Sequence, residues 1–117
     1  MLVVDDHVGF RHGVRALLEA DGFVVVGEAT DGAGALAEAA RLRPDVVLLD
    51  IGLPDIDGLA LIDSIRELAR NAVIVAVSAR REAEYGGRVG RARPDAFLDK
   101  RSIAPGVLSA LLEAAAR

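Results

Sequence analysis

Five polar residues stand where short apolar runs stop. Asp5 and Asp6 follow "LVV", Asp50 follows "VVLL", Ser78 follows "VIVAV", and Lys100 comes just after "AFL". Were they to meet, their chemistry would be narrow. Three carboxylates held close together repel, which raises their pKa values or recruits a cation. Ligands that are all oxygen favour a hard ion, and Mg²⁺ takes one or two carboxylates while keeping several waters. With such an ion present, a phosphoryl group can approach a carboxylate that would otherwise repel it. The carboxylate can then act as a nucleophile and form an acyl phosphate. The ion and an ammonium spread the charge on the equatorial oxygens, the main task in phosphoryl transfer. In that scheme Asp50 is the nucleophile, Lys100 the ammonium and Ser78 a hydroxyl donor. Lys100 is the single lysine among fourteen basic residues, and the planar fork of arginine does not replace a compact point charge.

Taken singly, each residue has an ordinary explanation. An acid at a strand end is usually solvated, paired aspartates often cap a helix, and a lone serine or lysine means little. Their joint arrival at the ends of successive apolar runs carries the argument.

Those runs alternate with longer amphipathic stretches. Leu2–Val4, Val24–Glu28, Val46–Leu49, Val73–Val77 and Ala96–Leu98 are short, mostly β-branched and read as strands. Between them, "FRHGVRALLEA", "GAGALAEAARL" and "GLALIDSIRELA" space apolar residues three and four apart, as helices with one buried face do. Asp31 is placed to cap the second helix, and Ser102 to cap a last helix from Ile103 with Pro105 in its first turn. The segment Arg81–Arg93 contains Gly86, Gly87 and Gly90, each costing ~1 kcal/mol relative to Ala in a helix. A fourth helix there should be short, distorted or partly disordered, and firmer once a phosphoryl group is bound nearby.

Near-continuous apolar strands imply a parallel sheet buried on both faces, with right-handed crossovers. The expected fold is an α/β domain, doubly wound about a five-stranded parallel sheet, as one domain over residues 1–117. Strand order does not follow from periodicity; 2-1-3-4-5 is one of two common choices. In either, ligands bind outside the carboxyl ends of the strands, where the five polar residues fall.

Composition removes other classes. No cysteine is present, which excludes disulfides, thiolate catalysis and thiolate metal sites. The net charge of -4 argues against direct nucleic-acid binding, which calls for a basic face. No apolar run reaches the ~18–20 residues of a membrane span, and no basic-then-apolar leader opens the chain. A cytoplasmic domain is expected. No G-x-G-x-x-G or G-x-x-x-x-G-K-[ST] loop follows the first strand; "VVDDH" sets two negative charges there instead.

The ordered motifs "VVDDH", "LLDIGLPDIDG", "VSA" and "FLDK" resemble the response-regulator receiver domain of two-component signalling, over essentially the whole chain. "DDHVGFRHGVRALLE" further resembles the NarL/FixJ-type subgroup, whose receivers precede a helix-turn-helix DNA-binding domain. The resemblance implies the flavodoxin-like (βα)5 order 2-1-3-4-5 and assigns roles. Asp50 is the phosphoacceptor, Asp6 the direct Mg²⁺ ligand, Asp5 a helper through water, and the main-chain carbonyl of Gly52 the remaining protein ligand. Ser78 and Lys100 bind the phosphoryl group, Phe97 is the aromatic switch, and Pro54 and Gly58 shape the loop after Asp50. Phe97 has no hydroxyl to hold it at the surface, so it should be substantially buried before phosphorylation. The implied partners are a sensor histidine kinase, a second copy of the chain on activation, and DNA through an output domain outside these residues. No membrane is involved. Departures from the family pattern are a first strand close to Met1, the glycine-rich fourth helix, and "RARPDAF" before the aromatic.

The leading reading is therefore a phosphorylation-controlled switch and not a turnover enzyme. A degenerate receiver that signals by protein binding alone is the second. A Mg²⁺-dependent phosphatase with an aspartyl nucleophile is the third, though that class usually has a second Asp two residues after its nucleophile. Here Gly52 stands two residues after Asp50 and His7 two after Asp5.

Overall fold

Leu2 and Val4 send their side chains to one face of a sheet while Met1 and Val3 send theirs to the other, and both faces are closed by helices. The computed structural model describes residues 1–115. Five parallel strands, β1 (Leu2–Val4), β2 (Gly27–Ala29), β3 (Val46–Asp50), β4 (Val73–Ser78) and β5 (Ala96–Asp99), lie in the order β2-β1-β3-β4-β5. The order is the flavodoxin-like one that the resemblance implied.

The two-residue alternation of the strands divides the core. On one face Leu2, Val4, Val47, Leu49, Ile74 and Ala76 pack with α2 (Gly32–Leu42) and α3 (Gly58–Leu68). On the other, Val3, Leu48, Val75 and Val77 meet Val14 and Leu18 of α1 (Val8–Ala20) and Leu108 of α5 (Val107–Ala115). Asp31 does cap α2, accepting from the Gly34 N–H at 2.7 Å. Asp57 caps α3, accepting from the Leu59 N–H at 3.0 Å.

Two elements differ from their sequence expectation. The second strand pairs only from Gly27, which lies opposite Leu2, the first residue of β1. Val24 and Val26 lie at that edge and are exposed, although the Met1 ammonium still donates to the Val24 carbonyl at 2.9 Å. The last helix starts at Val107, not at Ile103. Lys100–Ser102 instead forms a 3₁₀ turn, whose start Asp99 caps by accepting from the Arg101 N–H at 2.9 Å. Pro105 disfavours helical backbone at Ala104 before it, so Ser102 caps nothing and Pro105 precedes the helix.

The glycine-rich stretch is short and distorted, as its glycines predict. It holds a 3₁₀ turn at Glu82–Tyr85 and a helix of five residues, α4 (Arg88–Ala92). Gly86 separates them at φ +59° and ψ −135°, a backbone region essentially closed to residues with a Cβ.

Candidate functional site

Each of β3, β4 and β5 runs one residue further than its apolar run. The additional residues are Asp50, Ser78 and Asp99, so two of the candidate groups are themselves ladder positions. Their strands fix the backbone beneath them. Asp5, Asp50 and Ser78 are the buried polar side chains of the described residues, exposed by 0%, 4% and 2%.

The carboxylate of Asp50 is held by the Gly52 N–H, which donates to Oδ1 at 2.9 Å. Burial raises its pKa above the ordinary value; the Gly52 bond opposes this, the charge of Asp5 adds to it, and Lys100 again opposes it. The Lys100 ammonium lies 3.4 Å from Asp50 Oδ2 and 2.6 Å from Asp5 Oδ2. The shorter contact is an ion pair without hydrogen-bond alignment, so Asp5 Oδ2 has no hydrogen-bond partner among the described residues. The ring of Phe10 backs the ammonium at 4.4 Å, near enough for cation–π attraction.

Asp5, Asp6, Asp50 and His7 each bring one ligand atom within 4.8 Å of the others. This acidic pocket has the donors to hold a metal ion. His7 was not among the sequence candidates; its ring Nδ1 sits 3.1 Å from Asp6 Oδ1, and its main-chain N–H donates to Asp5 Oδ1 at 2.8 Å. Its only sequence signal is its place directly after the paired aspartates.

Beside the pocket a cleft of about 400 Å³ is lined by Asp50, Gly52, Ser78, Tyr85, Arg88 and Lys100 among others. A second hollow of about 460 Å³, lined by Arg43, Asp45, Glu67 and Arg70, lies at the amino ends of β3 and β4, away from every candidate. Ser78 Oγ accepts from the Arg80 N–H at 2.9 Å and shares a short hydrogen bond with the Tyr85 hydroxyl. Tyr85 meets Phe97 edge to face, with ring centroids 6.2 Å apart. Phe97 is partly buried against the core. Arg88 forms an ion pair with Asp57, joining α4 to the start of α3 across the cleft mouth. Gly58 packs on the loop after Asp50 so tightly that a Cβ would lie 2.4 Å from Ile51 Cα. Asp5, Asp6, Asp50, Ser78 and Lys100 are thus brought to one end of the sheet, with Phe97 linked to them through Tyr85.

The family model for the response regulator receiver domain matches residues 1–113. The chain belongs to that family. The signal receiver domain of NarL from Mycobacterium tuberculosis superposes with a TM-score of 0.86 at 34% identity, covering 98% of this chain and 94% of that one. A response regulator from Burkholderia pseudomallei, solved with a phosphorylated aspartic acid, calcium ion and citrate, gives a TM-score of 0.84 at 25% identity. That match covers 98% of this chain and 67% of the other. The DNA-binding transcriptional activator EvgA of Escherichia coli K12 is 27% identical over 110 residues, or 94% of this chain and 54% of EvgA. The chain spans about half the length of the curated relatives it matches. No helix among the described residues is long and apolar enough to cross a membrane.

Proposed function

We infer that the chain is a phosphorylation-controlled switch that takes a phosphoryl group from a sensor histidine kinase onto Asp50. The observation carrying this is the buried Asp50 carboxylate, 3.4 Å from the only lysine ammonium and open to a cleft beside Ser78. The Asp50 oxygen attacks phosphorus and the bond to the donor breaks, leaving an acyl phosphate on the protein. Lys100 meets the charge on the incoming oxygens, and Ser78 donates its hydroxyl hydrogen to one of them.

Asp5, Asp6, Asp50 and the main-chain carbonyl of Gly52 would hold Mg²⁺. The donor set suits a hard ion, and Asp5 Oδ2 is buried without a hydrogen bond. When bound, the ion supplies positive charge that lets a phosphoryl group approach three carboxylates. A cytoplasmic setting follows from the proposed kinase partner. EvgA is named as DNA-binding, which supports transcriptional output through a region outside these residues, with pairing of two copies on activation.

A small acyl phosphate with Mg²⁺ tests the reading by intact mass and peptide mapping. One stable phosphoryl group on Asp50, lost in Asp50→Asn, is the expected result. No label would leave a receiver that signals by binding alone, and steady phosphate release would mean a phosphatase.

A further inference from the structure

Tyr85 has no part in the scheme above, yet its hydroxyl is bonded to Ser78 Oγ and its ring edge meets Phe97. We propose that Tyr85 is a positioning residue for phosphoryl binding: it donates to Ser78 and thereby turns the serine hydrogen towards the group on Asp50. This rests on Asp50 being the phosphoacceptor.

The argument is one of capacity. A serine hydroxyl has one hydrogen and two acceptor lone pairs. The Arg80 N–H takes one lone pair at 2.9 Å. Phosphoryl oxygens only accept, so Ser78 can meet one solely with its hydrogen. That leaves one lone pair, and Ser78 is 2% exposed, out of reach of ready solvation. The Tyr85 hydroxyl is the group bonded there, and with a phosphoryl group present it can stay only as donor. All three capacities of Ser78 are then filled, and its hydrogen has a single direction.

The placement explains the shape of the glycine-rich stretch as well. Tyr85 ends the 3₁₀ turn, and Gly86 reverses the backbone directly after it at φ +59°. A regular helix through this stretch would not keep that local geometry. Arg88 fastens the following helix to Asp57, so the segment directly after Tyr85 is anchored at the cleft.

The chain has one tyrosine and no tryptophan, so its near-ultraviolet spectrum isolates Tyr85. A phenol that donates a hydrogen bond absorbs at longer wavelength than one that does not. In saturating beryllium fluoride and Mg²⁺, the wild-type tyrosine band should lie to the red of the Ser78→Ala band, and Ser78→Thr should restore it. Tyr85→Phe keeps the ring against Phe97 and removes only the hydroxyl. It should bind beryllium fluoride roughly three- to tenfold more weakly, the loss of one neutral hydrogen bond, read from the Gly52 amide by NMR. A tyrosine band indifferent to Ser78→Ala, or wild-type affinity in Tyr85→Phe, would overturn the role of Tyr85 while leaving Asp50 as the acceptor. A wild-type chain that takes no beryllium fluoride at Asp50 would overturn the phosphoacceptor reading, and this inference with it.

Discussion

The Lys100 ammonium lies 2.6 Å from Asp5 Oδ2 but 3.4 Å from Asp50 Oδ2. The only lysine therefore pairs more closely with a fully buried acid than with the proposed phosphoacceptor. Both side chains are largely buried, at 14% and 1% exposed, so removing the cation strands a charge. Lys100→Ala should lower stability by about 3 kcal/mol, the usual scale for breaking a buried pair from one side. Lys100→Arg keeps the charge and can stack on Phe10, so it should fold nearly as well. Its phosphorylation should nonetheless fall on the order of a hundredfold, the scale for losing one aligned charge donor. Urea melts and label incorporation separate the two effects, and equal labelling of Lys100→Arg and wild type would remove the case for a point charge.

Asp50 makes stability depend on pH with a definite sign. Burial raises its folded pKa, so the folded chain binds this proton more tightly than the unfolded one. The contribution is fully present below the unfolded value of ~3.9 and is lost as pH rises through the raised folded value. Asp50→Asn should thus be more stable than wild type at neutral pH, with the difference closing towards pH 3. Each ~1 kcal/mol relieved should raise Tm by about 4 °C in a domain of this size. Thermal melts across that range check it. A wild-type chain more stable than Asp50→Asn at pH 7 would mean that Lys100 and Gly52 outweigh the burial.

Much of this is legible in the sequence, for reasons visible in particular residues. Val46–Leu49 is buried on both faces, so a plain apolar run marked it, and the acid after it had nowhere to go but the strand end. The limits of β2 are not legible, since Val24 and Val26 look like strand residues but are exposed and bond to Met1, ahead of β1. The start of the last helix is not legible either, because Ser102 and Pro105 have the types of a cap and a first turn while the helix begins at Val107. The competing cap is Asp99, whose bond to the Arg101 N–H forms a turn first. Strand order came from the resemblance alone. Tyr85 and His7 carry little sequence signal, because their contacts lie outside any periodic pattern. For Tyr85 that contact spans seven residues and a 3₁₀ turn.

Gly58 shapes the site by being small. A Cβ there would meet Ile51 Cα at 2.4 Å and the Asp50 carbonyl oxygen at 2.8 Å. These are backbone atoms and cannot swing aside. Gly58→Ala should cost ~1–3 kcal/mol by overpacking and shift the Asp50 and Gly52 amide resonances, since the strain falls on their own backbone. Phosphorylation should slow as a result. An alanine variant with wild-type stability and unmoved Gly52 resonances would show that the loop yields at little cost.

The glycines of the fourth helical segment should behave in opposite ways. Gly90 sits inside α4, and a Cβ there meets nothing within 4 Å. Gly90→Ala should therefore stabilise that short helix by about 0.5–1 kcal/mol. Gly86 holds φ +59° with ψ −135°, and an alanine there is strained by ~1–3 kcal/mol despite open space around it. Gly86→Ala should loosen the turn that carries Tyr85 and raise hydrogen exchange over Arg81–Arg93, whereas Gly90→Ala should lower it. Loading with beryllium fluoride and Mg²⁺ should add protection to the wild type, because a segment near its order–disorder balance responds to modest coupling. In Gly90→Ala the added protection should shrink, as part of the ordering is already in place. Strong and equal protection in all three chains, loaded or not, would mean that the Arg88–Asp57 ion pair and the core around Val89 already hold the segment, and that the glycines do not set its mobility.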